Sequence, residues 1–188
     1  MKLPRKLQYN APVVLTFALA SLLALGLGWL TKGWTTSHLF SVYRSSLLDP
    51  LTYPRAFLHV LGHSGWAHYS GNMLLLLVIG PQLEDRYGSR TLLECIVVTA
   101  FITGLFQWVL FPHTAVLGAS GIVFMMILMA SMGGMRQGGI PLTLILVAVF
   151  YLGGEITTAV TAADNISQLS HIVGGLCGAF LGFLLGRK

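Results

Sequence analysis

Charge is what this chain has least of. Eleven basic and six acidic residues make up only 9% of its 188 positions, where a soluble domain carries about 25%. With 55% hydrophobic residues and a mean hydropathy of +0.77, too little polar surface exists to cover a water-soluble core. The solvent must be largely lipid. Cysteine is scarce too: Cys95 and Cys177 both sit in apolar stretches, which excludes a disulfide framework and a paired-cysteine metal or redox site. The net charge of +5 is scattered beside apolar runs, so it reads as a membrane orientation signal and not as a nucleic-acid surface. No low-complexity tract or internal repeat is present.

What is there is a series of apolar runs. A spanning helix needs about 20 mostly apolar residues, and six candidates occur: 11–30, 66–83, 92–111, 115–134, 140–160 and 166–186. They predict an all-α polytopic membrane protein, a single domain over 1–188. The connection 31–65 mixes aromatic and polar residues and suits short interfacial helices. Lys2, Arg5, Lys6 and the small-residue triplet Ala18-Leu19-Ala20 imitate a secretory signal. The apolar run continues to Leu30, however, beyond the usual signal core, so an uncleaved first span fits better. With the amino terminus inside, the cytoplasmic side holds eight Lys and Arg and the outside only Lys32, Arg44 and Arg55. Both termini are therefore expected in the cytoplasm.

Polar groups in lipid mark function or tight packing. Counting from Ala115 and from Ile166, Ser120 and His171 each lie five residues into an inward-running helix, about 7.5 Å down. The second span brings His68 and Asn72, spaced i, i+4 on one face, to the same outer layer. A hydroxyl, an imidazole and further donors are what acyl transfer to serine requires: nucleophile, base and oxyanion donors. The Ser120 amide, in the glycine-flanked Gly118-Ala119-Ser120-Gly121, is a further candidate donor. Gly174, Gly178, Gly182 and Gly186 form a small-residue stripe through which one helix can approach another closely. Packed against the fourth span, it would bring His171 to Ser120.

These residues resemble the rhomboid family of intramembrane serine proteases in its minimal six-helix form. The stretch from His63-Ser64-Gly65 through His68 to Asn72 is similar to the family's second-helix signature. The resemblance implies that His68 and Asn72 line the oxyanion hole and that His63 anchors a loop. Glu84-Asp85-Arg86 resembles a structural acidic-x-Arg element in which Glu84 and Arg86 take part. Gly118-Ala119-Ser120-Gly121 resembles the nucleophile motif, and Ser170-His171-Ile172-Val173-Gly174 the base motif, implying a Ser120–His171 dyad. Phe124 stands where the family often has a tyrosine stacked on the catalytic histidine, and Pro54 stands where Trp usually precedes Arg55. The resemblance further implies a bacterial inner membrane, a site open to the outside, transmembrane protein substrates, and neither cofactor nor metal.

Blander roles compete with several of these. A lone membrane serine or histidine commonly bonds within or between helices. His59, His63 and His68 lack the acid or cysteine partners of a metal cluster, and Met125, Met126, Met129 and Met132 read as lipid-facing or packing residues. Asp164 is expected to cap the sixth span, and Glu155 either reaches outer water or borders substrate entry. Two other functions fit the same spans: a non-catalytic rhomboid-fold binder of membrane clients, and a small transporter or channel subunit.

Overall fold

The computed structural model describes residues 8–132, 142–147, 149 and 166–186. Helices α1 (Pro12–Leu30), α2 (Trp34–His38) and α3 (Thr52–Leu58) are followed by a 3₁₀ turn at His59–Leu61. Then come α4 (Trp66–Tyr87), α5 (Ser89–Leu110), α6 (Ser120–Met132), α7 (Leu142–Val147) and α8 (Ile166–Gly186). Among the described residues the one β feature is an isolated bridge between Val42 and Val116. Helices α1 and α5 are each long and apolar enough to cross a membrane. The equally long α4 is diluted by His68, Asn72 and its Glu84-Asp85-Arg86 end. Most of the fifth expected span, with Glu155, lies outside the described residues, as does Asp164.

Helix α1 starts with Pro12 in its first turn and has no capping side chain of its own. A carboxylate from the far end of α4 supplies the missing acceptor. Glu84 accepts hydrogen bonds from the Val13 and Val14 N–H groups at 2.9 and 3.0 Å, and from the Ser89 hydroxyl at 2.7 Å. These amides have no partner inside α1, and a negative charge there also suits the helix dipole. One buried side chain thus ties together the starts of α1 and α5 and the end of α4. Along the same α1–α4 contact, Tyr69 donates to the Ala18 carbonyl at 3.2 Å. Glu84→Ala strands these donors and should lower unfolding stability by about 2–4 kcal/mol, with Glu84→Gln retaining part of the loss, as read by denaturant unfolding in detergent.

The loop 31–65 is built around Arg55, which is only 3% exposed. Its guanidinium donates to the His38 carbonyl at 2.7 Å and to Asp49 at 2.8 Å, and lies 4.6 Å from the centre of the Tyr43 ring. The Leu51 N–H and Arg55 together hold the Asp49 carboxyl below the usual carboxylate range. Pro54 falls in the first turn of α3, where a missing N–H costs the helix nothing. The ring against Arg55 is that of Tyr43. Arg44 caps the other end of α5, donating to the Trp108 and Val109 carbonyls at 3.0 and 2.7 Å.

Helix α6 packs against α4, α5 and α8, with Ile122, Met125, Met126 and Met129 fully buried. These methionines therefore fill the protein interior and do not face lipid. The helix begins at Ser120, five residues later than the apolar run starting at Ala115 suggests. Hydropathy cannot register the cause: Val116 exchanges both backbone hydrogen bonds with Val42 at 2.9 Å, and Gly118 has φ +129°. Both hold residues 115–119 out of a helix. Ser120 is consequently the first residue of α6, not a residue more than a turn inside it. At the other end of the bundle, α4 and α5 each run further than their apolar cores, with only Gly88 (φ +82°) between them.

Candidate active site

Gly118 is the point where three segments meet. Its N–H donates to the His59 carbonyl at 2.9 Å, which fixes the stretch before Ser120 against the 3₁₀ turn. A Cβ added to Gly118 would lie 2.8 Å from both Cε1 and Nε2 of His68 and 3.9 Å from Nδ2 of Asn72. Space and positive φ both require glycine here. The same contacts place the Cε1–Nε2 edge of His68 and the Asn72 amide beside the chain two residues before Ser120. Asn72 is 9% exposed, and its Nδ2 has no hydrogen-bond partner among the described residues. Buried donors are rarely left so.

Ser120 opens α6, so its N–H is one of the helix's orphan donors and sits at the positive end of the helix dipole. Helix α8 lies alongside α6 in the same direction, with glycines set against its backbone. A Cβ at Gly174 would overlap the Gly121 carbonyl oxygen and lie 2.8 Å from Gly121 Cα. One at Gly178 would overlap the Met125 carbonyl, and one at Gly182 would come 3.0–3.2 Å from Met129 and Met132. At Gly186 an added Cβ meets no described atom within 4 Å. The Ser170 carbonyl lies 3.4 Å from the Cβ position of Gly121. One turn into α6, the Phe124 ring stands 4.9 Å from that of His171 at 47°.

The structure thus gathers Gly118, His68 and Asn72 at one point, and Gly121, Phe124, His171 and Gly174 at the adjoining helix crossing. Glu84 and Arg86 lie at the opposite end of α4. Arg86 is set over the Tyr87 ring at 5.2 Å, well away from this chemistry. His63 is 2% exposed. Its Nδ1–H points to the Leu61 carbonyl at 3.1 Å, and its ring stands edge-on to His68 at 5.0 Å. Among the described residues no group of three His, Cys, Asp or Glu could hold a metal.

Sequence reasoning missed several supports. The contribution of His59 is its backbone carbonyl, which side-chain chemistry cannot advertise. Gln107 donates to the Thr114 carbonyl and hydroxyl at 3.1 and 3.0 Å, bracing the loop between α5 and Ser120. Ser64 reaches His68 Nδ1 with its hydroxyl at 3.2 Å and its N–H at 3.5 Å. That last contact had a signal, the i, i+4 spacing across the start of α4.

Burial pushes His59 and His63 down from 6.5 to about 4, aided at His63 by the nearby His68. Because both folded values are depressed, the unfolded chain takes up protons first as pH falls. Their contribution is intact above pH 6.5 and is lost on descending towards pH 4. The unfolding midpoint in detergent should drop across this window, and His63→Asn should make the slope shallower. An unchanged midpoint from pH 7 to 4.5 would contradict the neutral burial of both rings.

Comparison with known proteins identifies the family. A curated relative, "Rhomboid-related protein 1" of Caenorhabditis elegans, is 26% identical over 133 residues, covering 65% of this chain and 37% of that protein. The chain thus spans little more than a third of that relative's length. The family model of the Rhomboid domain matches residues 50–188, a range that takes in α3 with Arg55 and all of α4 to α8 but neither α1 nor α2. On that match the chain belongs to the Rhomboid family, and its helices form an integral membrane bundle.

Proposed function

We propose that the chain is an intramembrane serine endopeptidase that cuts transmembrane segments of other membrane proteins. The observation that carries this reading is the glycine-mediated crossing of α6 and α8 beside Gly118. Support comes from Gly118, two residues before Ser120, lying against the His68 edge and near the unpartnered Asn72 Nδ2, and from Gly174, three residues after His171, lying against Gly121. In the proposed reaction Ser120 Oγ attacks the scissile carbonyl carbon while the His171 imidazole takes its proton. The Ser120 N–H, His68 Nε2–H and Asn72 Nδ2 donate to the oxyanion. The C–N bond then breaks, and His171 returns the proton to the departing amine. Water attacks the acyl-enzyme, His171 again serving as base, and restores Ser120.

The reading requires neither cofactor nor metal. A substrate helix hides its carbonyls in hydrogen bonds, so segments that unwind easily, with Gly or Pro near the cut, should be favoured, with small side chains at the cleaved position. Eight inner against three outer basic residues supports cytoplasmic termini and a site facing the outside of a bacterial inner membrane. Phe124 supports the histidine by ring contact alone, without a hydroxyl. The test is cleavage of a transmembrane reporter by the purified protein in liposomes. Cleavage that disappears in Ser120→Ala supports the reading. Cleavage that persists in that variant removes Ser120 as the nucleophile, and none from the wild type in any lipid removes the proteolytic reading and favours a non-catalytic binder.

A further inference from the structure

The geometry points to Ser64 as a positioning residue that fixes the tautomer of His68. The inference rests on the proposed proteolysis and concerns how its oxyanion donor is made ready.

A neutral imidazole carries its proton on one nitrogen and accepts at the other, and the hydrogen bond at one nitrogen decides the state of its partner. His68 can serve an oxyanion from its Nε2 edge, the edge that faces Gly118, only if Nε2 holds the proton. At the other nitrogen stands Ser64. Its backbone N–H, which can only donate, points to Nδ1 at 3.5 Å, and its hydroxyl lies 3.2 Å from the same atom. A protonated Nδ1 would set N–H against N–H. With Nδ1 bare, the amide and the hydroxyl both donate to it, and the proton is left on Nε2.

The neighbouring His63 ring does not compete for this role. The Nδ1–H of His63 is directed at the Leu61 carbonyl, so that side chain presents His68 with ring edge and no second donor. Ser64 precedes α4 by two residues and His68 lies in its first turn. The contact therefore spans the helix start, where a side chain can bond across four residues while the backbone is still extended. Ser64 is exposed, so replacing it leaves the packed interior untouched.

Histidine-selective ¹⁵N solid-state NMR of the protein in liposomes at pH 7.5, with His68 signals identified by their loss in His68→Asn, reads the tautomer directly. The expected wild-type spectrum has a bare Nδ1 and a protonated Nε2. Ser64→Ala keeps the 3.5 Å amide contact but loses the shorter hydroxyl bond at 3.2 Å, so a minor Nδ1-protonated population should appear and kcat should fall about three- to tenfold, the range of one net hydrogen bond. KM should be unchanged, and Ser64→Thr should restore both spectrum and rate. A protonated Nδ1 in the wild type overturns the inference, as does a Ser64→Ala spectrum identical to wild type or a tautomer shift with no change in kcat. Absence of any Ser120-dependent cleavage is a different failure. It removes the proteolytic reading, while the spectra still report whether Ser64 sets the tautomer.

Discussion

His171→Ala should reduce kcat for cleavage of a transmembrane reporter by on the order of 10⁴-fold or more, with KM nearly unchanged. A weak hydroxyl nucleophile without its base loses both proton removal and proton return. Ser120→Ala should cost as much, and the double variant should be no worse than either single one, because residues that act as a unit are strongly non-additive. That pattern distinguishes a dyad from two independent structural roles, whose effects would multiply. His68→Ala and Asn72→Ala should each give smaller losses, about 10²–10³-fold, as expected for removal of one oxyanion donor among several.

Gly174→Val should abolish activity although every proposed catalytic side chain remains. The new Cβ alone overlaps the Gly121 carbonyl. Backbone cannot be displaced as a flexible side chain can, so α6 and α8 must separate at the level of Ser120 and His171. A misplacement of about 1 Å is enough for a 10²-fold loss, and a valine demands more. The stripe predicts a gradient: Gly178→Val as damaging to packing as Gly174→Val, and Gly182→Ala milder because its contacts are 3.0–3.2 Å. Activity and unfolding in detergent across the three variants check it. Full tolerance of valine at Gly174 would contradict the crossing.

Some of this arrangement could be read from residues alone because it rests on local spacing. His68 and Asn72 share a face by the i, i+4 rule, and the four-residue glycine period marks a close helix contact. The scarcity of charge implies lipid. Position along the membrane normal could not be read so well, since it was counted from the edge of an apolar run. Ala115–Ala119 are apolar or small enough to extend a span, but Val116 is held by Val42 and Gly118 takes a left-handed conformation. Both are effects of partners distant in sequence or of backbone torsion, and hydropathy is blind to each. The same distance hid Arg55 and the His38 carbonyl, Glu84 and the α1 amides, and the His59 carbonyl under Gly118. Burial of Met125, Met126 and Met129 was equally invisible. A helix apolar on every side looks alike whether lipid or protein surrounds it, and only the positions of α4, α5 and α8 decide which.

The central claim is that Ser120 is a nucleophile activated by His171. Treating the purified protein in liposomes with a fluorophosphonate, then mapping the adduct by peptide mass spectrometry, tests this without any natural substrate. The account predicts one adduct, on Ser120, formed in the wild type and reduced at least about 10³-fold in rate by His171→Ala. An adduct on another serine, or labelling of Ser120 that proceeds equally well without His171, would contradict it.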